Sequence, residues 1–249
     1  MRLGLYTSAA AGLLLALPAD AKRRDKTDPR DAALAELTRE VSAAIVAAAQ
    51  GEPVDPRWTW TSDAFGIRTT EPEVAERLAT LGEDPAVVMT ILEIEGAATG
   101  GTGPGYLRGS AVVLADGRVR WLTPSIRPKN PYTGPTSGLD AASPALAGAV
   151  QRLADALADP ACPLPLLTSE EVADIPEVLG GALPMDPARL SLACESALAG
   201  AFQWKPSVDD VTVLVRVGDS HVALRSAFVV DDGRLLLDEV RVGAVEPGS

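Results

Sequence analysis

Two segments 116 positions apart carry nearly the same text: SAVVLADGRVRWL at 110–122 and SAFVVDDGRLLLD at 226–238. In each, an apolar run leads into Asp-Gly and a second run leads away. Asp-Gly between two such runs is a strong hairpin signal, because both central residues of a type I′ turn need a positive φ. Strands joined this tightly run antiparallel. Both halves of the chain are therefore tied to antiparallel sheet, and the helical stretches must lie outside the hairpins. This restricts the fold class to α+β.

The rest of each half follows one order. In the first, DAALAELTREVSAAIVAAAQG is an amphipathic helix. Asp31 is its expected cap, Leu34, Leu37, Val41, Ile45 and Ala48 share one face, and Gly51 ends it. EPEVAERLATLG (71–82) reads as a short helix with Pro72 in its first turn and Gly82 past its end. Strands are expected at 86–96, 106–115 and 118–126. In the second half, helices are expected from Ser143 and Pro144 and across DPARLSLACESALAGAF, with a proline-rich loop at 160–187 between them. In that loop Thr168 and Glu171 have capping-box spacing. Strands follow at 210–217, 221–230 and 234–242, and Asp232-Gly233 forms the last turn. Val211, Val213, Val215 and Val217 form one apolar face for helices to cover, with Thr212 and Arg216 on the other.

The expectation is thus two tandem modules, each helix-helix-three-stranded antiparallel meander, related by internal duplication. The quoted hairpins agree at six of thirteen positions. The boundaries read as a signal peptide (1–21), a charged tail (22–30), a first module (31–130), a Pro/Gly linker (131–142) and a second module (143–249). The 249 residues, 47% of them hydrophobic, suffice for either one large core or two smaller ones.

The start of the chain bears on location. Arg2 precedes an apolar run from Leu3 to Leu17, Pro18 breaks it, and Ala19-Asp20-Ala21 places small residues where a signal peptidase reads. The run is short for a bilayer span. The charged stretch Lys22 to Lys26 runs against the usual charge asymmetry of exported chains. The expectation is a periplasmic or secreted protein with no stable membrane span after cleavage. Two cysteines, Cys162 and Cys194, suit an oxidising compartment and predict one disulfide.

Net charge is −12, and the sequence pI is about 4.6. Such a surface repels phosphate backbones, so nucleic acid is not expected as a partner. A small ligand or an envelope protein is. No dinucleotide fingerprint or serine-nucleophile elbow occurs in the sequence, and the glycine-rich GGTGPG (100–105) lacks the Lys and Ser/Thr of a phosphate loop. No cofactor is expected. Three Cys and His residues in total fall short of a structural zinc set, and the aspartate pairs lack calcium-loop spacing, so no metal is expected.

Some residues carry weak chemical signals. Glu93 and Glu95 share a face of one strand about 6.5–7 Å apart, within the carboxyl separation of an inverting glycosidase. Arg108, Arg118 and Arg120 on neighbouring strands are expected to pair with them instead. His221 is the only histidine. Its sequence neighbours Asp219 and Ser220 alternate across the strand and cannot form a triad with it. Trp58 and Trp60 share a face if extended, as a ligand platform or as core. The leading expectation is an exported, acidic, non-enzymatic α+β protein that binds a small ligand or a protein partner. The alternatives are a secreted hydrolase using Glu93 and Glu95 or His221, and a structural component of the cell envelope.

Overall fold

The computed structural model describes residues 27–50, 52, 85–99, 106–127, 144–173, 175, 184–195, 203–231 and 234–245. The expected signal peptide, the helix at 71–82, Trp58 and Trp60, GGTGPG and the linker at 131–142 lie outside the described residues.

Helix α1 spans Pro29–Ala49. It begins earlier than expected. Asp28, not Asp31, is the cap: its carboxylate accepts the Arg30 N–H at 2.8 Å, and Pro29 takes the first helical position, where a missing N–H costs nothing. Residues 29 and 30 therefore belong to the helix rather than to a charged tail. Asp31 is buried in the first turn and pairs with Arg152 Nε at 3.0 Å. Leu34, Val41, Ile45 and Ala48 are buried on the expected face, with Leu37 packed beside them.

Helix α2 spans Pro144–Ala158 and packs along α1. Arg152 donates to Asp28 as well as to Asp31, and Arg30 reaches Asp155 at 2.8 Å. Hydrogen bonding from Arg30 is the main reason the Asp28 carboxyl is held down at about 2. Burial pushes Asp31 the other way, upward, against the pull of Arg152. Asp28→Ala should therefore destabilise the chain by about 1–2 kcal/mol at neutral pH, through loss of cap and ion pair together. A carboxyl with a depressed pKa stabilises the fold above its unfolded value and loses that contribution as it protonates. The gap between wild type and variant should narrow as pH falls from 3.8 to about 2, measured by denaturant unfolding across that range.

The sheet has seven antiparallel strands: β1 (Ala86–Thr99), β2 (Tyr106–Leu114), β3 (Val119–Trp121), β4 (Ser125–Arg127), β5 (Gln203–Val217), β6 (Ser220–Asp231) and β7 (Arg234–Val245). Their order is β3-β2-β1-β5-β6-β7, with β4 beside β2. The two meanders thus meet at β1 and β5 in one continuous sheet. The single strand expected at 118–126 is instead two short ones, β3 and β4, both paired with β2.

The two hairpins are joined by connections of different length. Between β2 and β3 the Gly117 N–H bonds Leu114 O, and the Leu114 N–H bonds Arg118 O. Gly117 has φ +82, whereas Asp116 is not in the positive-φ region. This is a three-residue loop closed by a glycine bulge, not the two-residue type I′ turn the dipeptide suggests. In the second hairpin Asp231 pairs with Arg234, leaving only Asp232 and Gly233, outside the described residues, between the strands.

One face of the sheet lies under the helices. Val211, Val213 and Val215 sit there as expected, with Leu92, Ile94, Ala111, Val222 and Leu224, against Leu34, Val41 and Ile45 of α1 and Leu146, Leu153 and Leu157 of α2. This core takes residues from both halves, and α1 also touches β6 and β7. The α+β class therefore holds. On the opposite face Met89, Ile91, Val112, Leu114 and Leu214 are covered by Leu167, Val172 and Ile175. That covering segment contains a single 3-10 turn, Glu170–Val172. Thr168 and Glu171 form the expected reciprocal bonds around it, at 3.2 and 3.0 Å. Burial raises the Glu171 carboxyl, but the Thr168 N–H and Arg120 outweigh it, and the net shift is downward.

Helix α3 spans Pro187–Glu195, and residues 196–202 of the longer expected helix lie outside the described residues. Cys194 in α3 is disulfide-bonded to Cys162, in the turn after α2.

Candidate functional site

Thr38 and Ser42 are one turn apart on α1, and both are buried. Each hydroxyl bonds back to the carbonyl four residues earlier, Leu34 and Thr38 respectively, at 2.7 Å. Ser42 Oγ also lies 2.7 Å from Thr90 Oγ1 of β1. Because Ser42 spends its proton on the Thr38 carbonyl, Thr90 donates in this contact and keeps its lone pairs as acceptors.

These hydroxyls lie at the floor of a groove of about 890 Å³ between α1 and the ends of β1 and β2. Ala35, Val46, Val87 and Val113 line it with apolar surface. Glu36 and Arg39, ion-paired to each other one helical turn apart, stand on the α1 rim. Asp116 and Gly117 of the β2–β3 turn stand on the other. An apolar cleft of this size with a few fixed polar atoms is the usual form of a small-molecule site. A smaller hollow of about 420 Å³ adjoins the disulfide and is lined by Cys162, Leu190 and Cys194.

The sequence-predicted residues lie elsewhere. Glu93 and Glu95 are on the sheet face away from the helices, opposite Ser110 and Arg108 of β2. Arg108 lies 3.6 Å from Glu93 and 3.5 Å from Glu95, so one guanidinium occupies the space between the two carboxylates. Glu93 also accepts from Ser110 Oγ at 2.7 Å. Side-chain exposure is 31% for Glu93 and 13% for Glu95. An inverting glycosidase needs that intervening space for the scissile bond and a water. Arg118 and Arg120 do not join them. Both reach Glu171, at 3.3 and 3.0 Å, and fasten the 3-10 turn to β3.

His221 is the second residue of β6, opposite Arg216 and Val245. Its row is five residues along β5 from the row of Leu92, about 17 Å at strand spacing, so it does not converge with the glutamates. Its Nδ1 is buried and has no hydrogen-bond partner among the described residues. Among the described residues no three His, Cys, Asp or Glu side chains converge as a metal site. No described helix is long and apolar enough to cross a membrane. The groove itself has no sequence signature: it arises where α1 meets a distant turn, and only the small residues along α1 hint at it.

Compared with family models, curated proteins and solved structures, the chain matches none.

Proposed function

We propose that this chain is an exported, acidic binding protein, and that the groove along α1 holds its ligand, a small amphipathic molecule with an apolar body and a hydrogen-bond donor for Thr90. The observation that carries the reading is the groove: its volume suits a small ligand, its walls are apolar, and its polar atoms are fixed by the α1 backbone. Export is supported by the layout of residues 1–21 and by the disulfide.

The experiment is a thermal-shift screen of small amphipathic molecules against the protein as the cell delivers it. Ala43 is exposed on α1 and lines the groove. Ala43→Trp should leave the unliganded melting temperature within about 2 °C of wild type. It should also abolish the rise in melting temperature that a ligand gives at saturating concentration. A ligand that stabilises wild type and Ala43→Trp equally would place the site elsewhere.

The two meanders we read as products of duplication. The six shared hairpin positions support this, as does the strand order, which repeats outward from the β1–β5 contact in both directions.

A further inference from the structure

The two edges of the sheet are treated differently. At β3 the chain covers its own edge: the Trp121 N–H bonds Pro165 O, and the Leu167 N–H bonds Trp121 O, both at 2.9 Å. β3 and β4 are also only three residues each. At the opposite edge, β7 runs for 12 residues, and among the described residues no strand but β6 pairs with it. Its sequence, RLLLDEVRVGAV, holds no proline and no lysine, two of the usual means of blunting an edge, and its one irregularity in pairing falls at Asp238.

We propose that the outer edge of β7 docks a second copy of this chain, antiparallel and centred on Val240. Charge and symmetry select both the occupant and the register. A two-fold axis joining identical antiparallel edge strands stands perpendicular to the sheet, so the centre of the pairing is itself a residue. Centred on Val240, Glu239 of each copy stands opposite Arg241 of the other, giving two opposite-charge positions. The flanking positions then place Asp238 opposite Val242, Leu237 opposite Gly243, Leu236 opposite Ala244 and Leu235 opposite Val245. Moving the centre one residue in either direction sets Glu239 against its own copy, or Arg241 against its own, which disfavours both neighbouring registers.

The pairing inside the chain points the same way. Across β6, Arg241 stands opposite Arg225, a like-charge position, and Glu239 stands opposite Ala227. Arg234 stands opposite Asp231, whereas Glu239 and Arg241 have no opposite charge directly across this ladder. The second copy supplies one to each.

Sedimentation velocity of the protein as the cell delivers it should show a species of about twice the single-chain mass. Glu239→Arg and Arg241→Glu each set like charges opposite one another at both positions. Each variant should sediment as a single chain, with association weakened at least about tenfold and the far-UV circular dichroism of wild type retained. Mixed in equal amounts, the two variants regain opposite charges at both positions, and the dimer should return. If either reversal fails to fold, Glu239→Gln is read in its place, together with weakening of the wild-type dimer by salt. A wild-type protein that stays single, a dimer that survives these substitutions, a mixture that fails to restore it, or open-ended larger species would each overturn the proposal.

Discussion

Trp121→Ala should lower the stability of the chain by about 3–5 kcal/mol, while Trp121→Phe should cost much less. Trp121 is fully buried and is the largest of the wholly enclosed side chains. It lies against Gly109 of the neighbouring strand, where an added Cβ would sit 3.3 Å from the indole and 2.9 Å from Leu153 of α2. Glycine at that position lets the indole and α2 approach the sheet, so truncating the tryptophan opens a cavity where strand, indole and helix meet. The backbone of Trp121 also holds the segment that covers the far face of the sheet. Its Nε1 finds no acceptor among the described residues. A buried donor without a partner costs about 1–3 kcal/mol, so phenylalanine removes a penalty along with the volume it gives up. Denaturant unfolding of the three proteins separates the two effects, and equal losses for Ala and Phe would contradict the packing argument.

Removing the disulfide should have an effect of similar size. The Cys162–Cys194 bond spans 32 positions, and constraining a loop of that length stabilises a chain by roughly 3–4 kcal/mol. Replacing both cysteines by alanine should lower the melting temperature by about 10 °C. The loss should be greatest locally. Of the side chains described in α3, Leu190 is the buried one, and the sulfur bridge ties this helix covalently to the end of α2. Cys162 has φ +43 and is the only described non-glycine residue in that region, and alanine in its place is held in the same unfavourable backbone conformation. Amide exchange in α3 should rise well before that of β1 and β5, and uniform acceleration across the sheet would show that the tie is global rather than local.

The parts of this fold that were legible in the sequence rest on local rules. The alternation of Val211, Val213 and Val215 gave their face, Thr168 and Glu171 gave a capping box, and the two cysteines gave the disulfide. What the sequence concealed depends on partners far away in the chain. Asp31 resembles a cap because it is acidic and opens an apolar pattern. Its actual role, as a buried partner of Arg152, is set by a helix more than a hundred residues further on. The second covered face was missed because irregular pairing between Val87 and Met89 and between Leu92 and Ile94 interrupts the alternation of β1, and because a loop supplies the cover. In the sequence Arg118 and Arg120 are equivalent to Arg108 as partners for Glu93 and Glu95. Only the three-dimensional path of the 3-10 turn diverts them to Glu171. The groove along α1 depends in the same way on the approach of the β2–β3 turn, which no spacing within the helix encodes.

The central contact of the sheet has a kinetic consequence. β1 and β5 are more than a hundred residues apart in sequence and lie side by side in the middle of the sheet. Closing so long a loop must precede most of the burial that rewards it, which is the condition for slow folding. A ribosome-bound chain that has made α1 and the first meander still lacks the strand that completes their core. Such a chain cannot complete its core until β5 has been made, so its folding waits on a strand from the last fifth of the sequence.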